Sequence, residues 1–137
     1  MVDLKGNRIT YIGHSTFSLT TPSGQMGIID PWVMTNPVCP ETLKKVHKLD
    51  VIFLTHGHAD HAGDLLALAK QHKPKLVTSF ETYLWLCGKG FENKGRPMGK
   101  GGSQNAKLKR LGSCPTVSRV GPGARSAFRT RAGVPQR

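Results

Sequence analysis

Within LTHGHADHAGD (residues 54–64), the residues His56, His58, Asp60 and His61 occupy four of six consecutive positions. Imidazoles and carboxylates are donors that suit Zn²⁺, and a mixed nitrogen–oxygen set also admits Fe or Mn. In an extended segment, side chains at i and i+2 point the same way, so His56 and His58 can grip one ion together. Gly57 between them permits a tight backbone path. Asp60 and His61 fall where a helix begins and can turn toward a second ion. Two such ions, typically about 3.5–4 Å apart, share a hydroxide and clamp a reacting oxygen. A lone aspartate here would serve as a helix cap, and a lone histidine as a solvated loop residue. Four donors in this register are not explained that way.

Such a cluster needs a frame. VIFLT (51–55) is a continuous apolar run with the character of a buried strand, and it leads directly into the histidines. Behind them, residues 62–72 place Ala62, Leu65, Leu66 and Ala69 on one helical face. Upstream, RITYI (8–12), TFSLT (16–20) and MGIID (26–30) alternate as strands. PWVMTNPVCP reads as a proline-rich loop and ETLKKVHK as a short helix. Downstream, KLVTS (75–79) is a strand and FETYLWLCGKG a helix ending in glycine. KGRPMGKGGSQ reads as a glycine-rich loop. A β-meander followed by alternating helices and strands is an α/β layered domain.

The chain has 137 residues, enough for one domain with a modest core. Its formal charge of +12 suggests nucleic acid until it is mapped. Residues 1–92 carry nine Lys/Arg against eight acids, whereas residues 93–137 carry eleven Lys/Arg and no acid. The charge belongs to the tail. From about residue 105 the chain is Arg-, Gly-, Pro- and Ser-rich with no hydrophobic period, so 105–137 is expected to be unstructured. No apolar run approaches the roughly 20 residues of a membrane-spanning helix. The N-terminus lacks a signal-peptide core. Cys39, Cys87 and Cys114 are odd in number and widely spaced, which suits reduced thiols in the cytoplasm.

HGHADH is an HxHxDH motif, and it resembles that of the metallo-β-lactamase superfamily of metal-dependent hydrolases. GHSTF (13–17), IIDPW (28–32), LDVIFLTHGHADHAGD (49–64) and GKGFENKGRPMGKGGSQ (88–104) are similar to its UPF0173-type members. The resemblance covers residues 8–104 and implies the N-terminal half of an αβ/βα sandwich. It implies that His56 and His58 bind one metal, that Asp60 and His61 bind the other, and that Asp60 also orients or deprotonates the attacking water. It further implies that Asp30 is a buried support for the histidine loop and that His14 lies near the pocket mouth. Asp64 either orients a ligand or sits in a first helical turn for dipole reasons. The implied chemistry is hydrolysis of an ester, amide or phosphodiester-type small molecule by a zinc-activated hydroxide.

The superfamily completes its site with later histidines and a bridging acid. No histidine follows His72 here and no acid follows Glu92. Residues 1–104 are therefore expected to be a partial hydrolase domain of impaired activity, and 105–137 out-of-register coding or a truncated gene end. The alternative is a non-catalytic fragment whose basic tail binds nucleic acid through phosphate attraction.

Overall fold

A computed structural model of the chain describes residues 4–91 and 95–99. Arg8–Gly13 (β1) and Thr16–Thr20 (β2) form an antiparallel hairpin, and Met26–Ile29 (β3) pairs antiparallel with β2. Val51–Phe53 (β4), Lys75–Ser79 (β5) and Gly95–Met98 (β6) then add in parallel, giving a six-stranded sheet in sequential order. Parallel neighbours need crossovers. Ala59–Ala62 (α1) and Leu65–His72 (α2) provide the one between β4 and β5. Phe80–Gly88 (α3) lies between β5 and β6, and its N-cap Ser79 accepts the Thr82 N–H.

Register decides the core. Ile28, Ile52 and Leu76 stand opposite one another on β3, β4 and β5, and all three are fully buried. They share one hydrophobic cluster with Leu65, Leu68 and Ala69 of α2 and with Tyr83 and Leu86 of α3. On the alternate register, Phe17, Ile29, Phe53 and Val77 form a second apolar row that stays only half-buried. Tyr11 continues that row at the hairpin end, with its ring 5.2 Å from that of Phe17.

The strands at 16–20 and 75–79 fall as read from the sequence, and those at 8–12, 26–30 and 51–55 shift by one or two residues. Other elements differ. ETLKKVHK forms only a 3₁₀ turn over Glu41–Leu43. An eight-residue stretch is too short to hold a helix by propensity, and Leu43 and Val46 reach the core without one. The expected helix over 62–72 breaks between α1 and α2, and the buried stripe is Leu65, Leu68 and Ala69, with Leu66 exposed. Asp64 sets that rotation, because its N–H donates to the Pro31 carbonyl and its carboxylate is held by the 33–35 backbone.

The stretch read as a loop at 94–104 contains β6. Gly95 lies against Tyr83, where a Cβ would run into the ring, so the absent side chain is what admits the strand. Pro97 is tolerated because β6 is the last strand of the sheet order, where a missing N–H need break no ladder. His72, read as solvated, is half-buried, and its Nε2 has no hydrogen-bond partner among the described residues. Among the described residues Cys39 is a buried free thiol. The boundary at 104 and the tail 105–137 lie outside the described residues. Among the described residues no helix is long and apolar enough to cross a membrane.

Ile52 sits in the middle of the central buried row. Ile52→Ala is expected to lower unfolding free energy by about 2–5 kcal/mol in urea denaturation, whereas Ile9→Ala, at an exposed position, should change it by less than about 0.5 kcal/mol.

Candidate metal centre

The motif residues gather just beyond the C-terminal ends of β3 and β4, where open α/β sheets generally place ligands. β3 stops at Ile29, and Asp30 follows with φ +48, a left-handed backbone that few residues other than glycine adopt. Its N–H still donates to Phe53 O at 2.9 Å, so the turn stays tied to β4. The Asp30 side chain is 2% exposed. A buried carboxylate must be surrounded by donors. Asp30 has three: the Thr55 N–H to Oδ1 at 2.8 Å, the Thr55 hydroxyl to Oδ2 at 2.8 Å, and His61 Nδ1 to Oδ2 at 2.9 Å.

These bonds set the histidine tautomers. Asp30 is acceptor-only, so His61 Nδ1 carries the hydrogen and Nε2 presents a lone pair. Thr55 has one hydroxyl hydrogen and gives it to Asp30. It therefore accepts from His56 Nδ1, 2.9 Å away, which leaves His56 Nε2 without a hydrogen of its own. That Nε2 lies 3.0 Å from His58 Nδ1, and the two rings meet edge to face with centroids 4.6 Å apart. His56 and His61 are closer still, with centroids 4.0 Å apart. β4 ends at Phe53, so both His56 and His58 lie on the following loop and not on the strand. The loop keeps the i, i+2 pairing. Gly57 does so with no positive φ, and a Cβ there would meet only Trp85, at 4.0 Å.

His58 is the N-cap residue of α1, so Asp60 does not cap the helix. Its Oδ2 faces His14 Nε2 at 2.8 Å and His61 Nε2 at 3.8 Å. Desolvation tends to raise the Asp60 carboxyl, but its own backbone N–H, the neighbouring His61 and His14, and the His14 hydrogen bond together hold it below the usual carboxylate value. His14 itself sits at φ +56 in the turn between β1 and β2. Thr16 and Asn36 hold that turn. The Thr16 hydroxyl lies 2.7 Å from Asp30 O and 3.2 Å from Trp32 O, and Asn36 Nδ2 donates to Trp32 O at 3.1 Å and Gly13 O at 3.4 Å.

Asp64 has a different place from a ligand-orienting group. Its Oδ2 accepts from the N–H groups of Val33 at 2.6 Å, Met34 at 2.7 Å and Thr35 at 3.4 Å, so it pins the 31–35 loop to the start of α2. That loop carries Trp32, whose ring lies 5.5 Å from His14 and covers Gly63, where a Cβ would stand 3.0 Å from the indole. Thr55 and Trp32 were not singled out from sequence. A hydroxyl immediately before the first motif histidine was the available signal for Thr55; Trp32 had none. A cavity of about 400 Å³ lies elsewhere, between α2 and the end of α3, lined by Leu66, Lys70, Lys73, Lys89 and Phe91 among others.

This geometry has counterparts in known proteins. A family model described as the metallo-beta-lactamase superfamily matches residues 41–117, more than half of the chain. The chain belongs to that superfamily. It is 52% identical over 104 residues to a UPF0173 metal-dependent hydrolase of Koribacter versatilis, an alignment covering 76% of this chain and 44% of that protein. A UPF0173 metal-dependent hydrolase of Rubrobacter xylanophilus is 47% identical over 100 residues, covering 73% of this chain and 41% of the relative. Among solved structures, Igni18, described as a novel metallo hydrolase from the hyperthermophilic archaeon Ignicoccus hospitalis, superposes with a TM-score of 0.60 at 36% identity. That superposition covers 72% of this chain and 42% of Igni18. The chain thus spans less than half the length of the relatives it matches.

Removing the Asp64 carboxylate strands the backbone donors of the 33–35 loop. Asp64→Ala is expected to cost about 1–3 kcal/mol of stability and to expose Trp32, read as a red shift in the fluorescence of the variant relative to wild type. An unchanged melt and spectrum would contradict the pinning role.

Proposed function

We propose that His56, His58, Asp60 and His61 bind divalent metal, and that the chain takes part in hydrolysis of an ester, amide or phosphodiester-type small molecule. The observation that carries this reading is the Asp30–Thr55–His56 and Asp30–His61 relay. It occupies Nδ1 of both His56 and His61 and leaves Nε2 of each ring as the atom available to an ion, as ligating histidines require. The donor set fits zinc, two ions in the full arrangement, and iron or manganese are compatible with the same nitrogen and oxygen donors. A bound ion would supply Lewis acidity and lower the pKa of water. The chain's own residues do the rest. The Asp60 side chain, held as a carboxylate, orients a water and accepts its proton. His56 and His58 fix one side of the reacting centre, and Asp30 keeps the rings from turning. The names of the UPF0173 relatives and of Igni18 agree with metal-dependent hydrolysis.

We also propose that this chain by itself turns over slowly. It has no histidine beyond His72 and no acid beyond Glu92 with which to complete two ligand shells.

Chelator-stripped chain equilibrated with Zn²⁺ is expected to take up metal, with uptake reduced both by His56→Ala/His58→Ala and by Asp60→Ala/His61→Ala. Hydrolysis of p-nitrophenyl esters and of bis-p-nitrophenyl phosphate should be slow, restored by metal and abolished by chelator. No uptake by the wild-type chain, or turnover indifferent to chelator, would sink the metal-hydrolase reading. Rapid turnover by the purified chain would sink only the second proposal.

A further inference from the structure

We propose that His14 is a metal ligand, closing a three-residue seat with Asp60 and His61 for one divalent cation. The proposal rests on the metal-centre reading above and deepens it. His14 Nε2, Asp60 Oδ2 and His61 Nε2 come from two separate parts of the chain, the β1–β2 turn and α1. One ligand atom from each residue lies within 4.8 Å of the other two.

The donor set of the cluster suits a cation. Asp30 Oδ2 lies 2.9 Å from His61 Nδ1, so Nε2 is the ring atom that faces Asp60 Oδ2, 3.8 Å away. His14 reaches the same oxygen at 2.8 Å from the other side. Zinc bonds of about 2.0–2.1 Å put neighbouring donors roughly 3.3 Å apart, so the His14–Asp60 contact at 2.8 Å would lengthen and the His61–Asp60 one at 3.8 Å would shorten to close on an ion. Three protein ligands is also the number that catalytic zinc sites commonly use.

The position of His14 is built. It adopts φ +56, a strained backbone for a non-glycine residue, and the neighbouring turn is held by fully buried Thr16 and Asn36. Strain of this kind persists where surrounding structure enforces it and collects at functional sites. The His14 ring also stands edge-on to Trp32 at 5.5 Å and to His61 at 5.3 Å, which limits where it can swing. The side chains of His14 and Asp60 are 43% and 45% exposed, whereas that of His61 is 13% exposed, so an ion can enter from the His14 side.

The test isolates this seat. Co²⁺ titration, followed by the visible absorption of the bound ion, is run on the wild-type chain, on His56→Ala/His58→Ala, and on that double variant carrying His14→Gly or His14→Gln. Glycine suits the left-handed backbone, and glutamine keeps a donor for Asp60 while removing the imidazole. Circular dichroism in chelator establishes that each variant is folded. The double variant is expected to bind one Co²⁺, and both His14 substitutions to weaken it at least about 100-fold, the upper end of what loss of a ligand-supporting group costs. If His14→Gln binds as tightly as its parent, His14 only positions Asp60 and the proposal fails. It also fails if the double variant binds no Co²⁺ while wild type does, which leaves the broader reading standing. A wild-type chain that binds none overturns both.

Discussion

The carboxylate of Asp30 is the constraint around which the rest is arranged. It is 2% exposed, and an ionised oxygen pair removed from water is tolerable only when donors surround it. Three donors do so, and each belongs to the motif segment that follows β4. Satisfying one buried group therefore orients His61 directly and His56 through the Thr55 hydroxyl. The bonds that stabilise the loop therefore also fix how both rings are turned.

The sheet makes this economical. Parallel pairing of β3 with β4 in the register Ile29 to Phe53 brings the residues just past both strands side by side. Asp30 and Thr55 meet there because both chains leave the sheet at the same level. The hairpin of β1 and β2 adds His14 from the other side, and the 31–35 loop, pinned by Asp64, closes the rim with Trp32. Two of the four non-glycine residues with positive φ among the described residues, His14 and Asp30, face this centre. The other two, Lys5 and Lys73, occupy a turn and the end of α2.

One face of the sheet shares a hydrophobic cluster with α2 and α3, and the other presents an apolar row from exposed Tyr11 through half-buried Phe17, Ile29 and Phe53 to Val77. The chain spans less than half the length of its UPF0173 relatives and of Igni18. The centre is thus assembled from the part of the superfamily pattern that this chain shares with them. Among the described residues, His14, Asp60 and His61 each bring a ligand atom within 4.8 Å of the other two.

The motif, the α/β class and the strands at 16–20 and 75–79 were legible in the sequence because they rest on local quantities: donor type, spacing and hydrophobic period. Long-range contacts set the elements that were misread. Residues 94–104 look like loop because glycine and proline weaken a strand, yet β6 forms there since Gly95 makes room for Tyr83 and Pro97 lies on the last strand. Leu66 and Leu68 are equally apolar, and only the pinning of Asp64 to a loop some thirty residues away chose Leu68 for the core. The same holds at the centre. HGHADH by itself determined which donors are present and which class of ion they suit. Tertiary structure alone decided which nitrogen of His56 and of His61 is tied to the Asp30–Thr55 pair, and that His14 comes within 2.8 Å of Asp60. Those facts depend on strand register and on the saturation of one buried carboxylate, and neither is a property of any short run of residues.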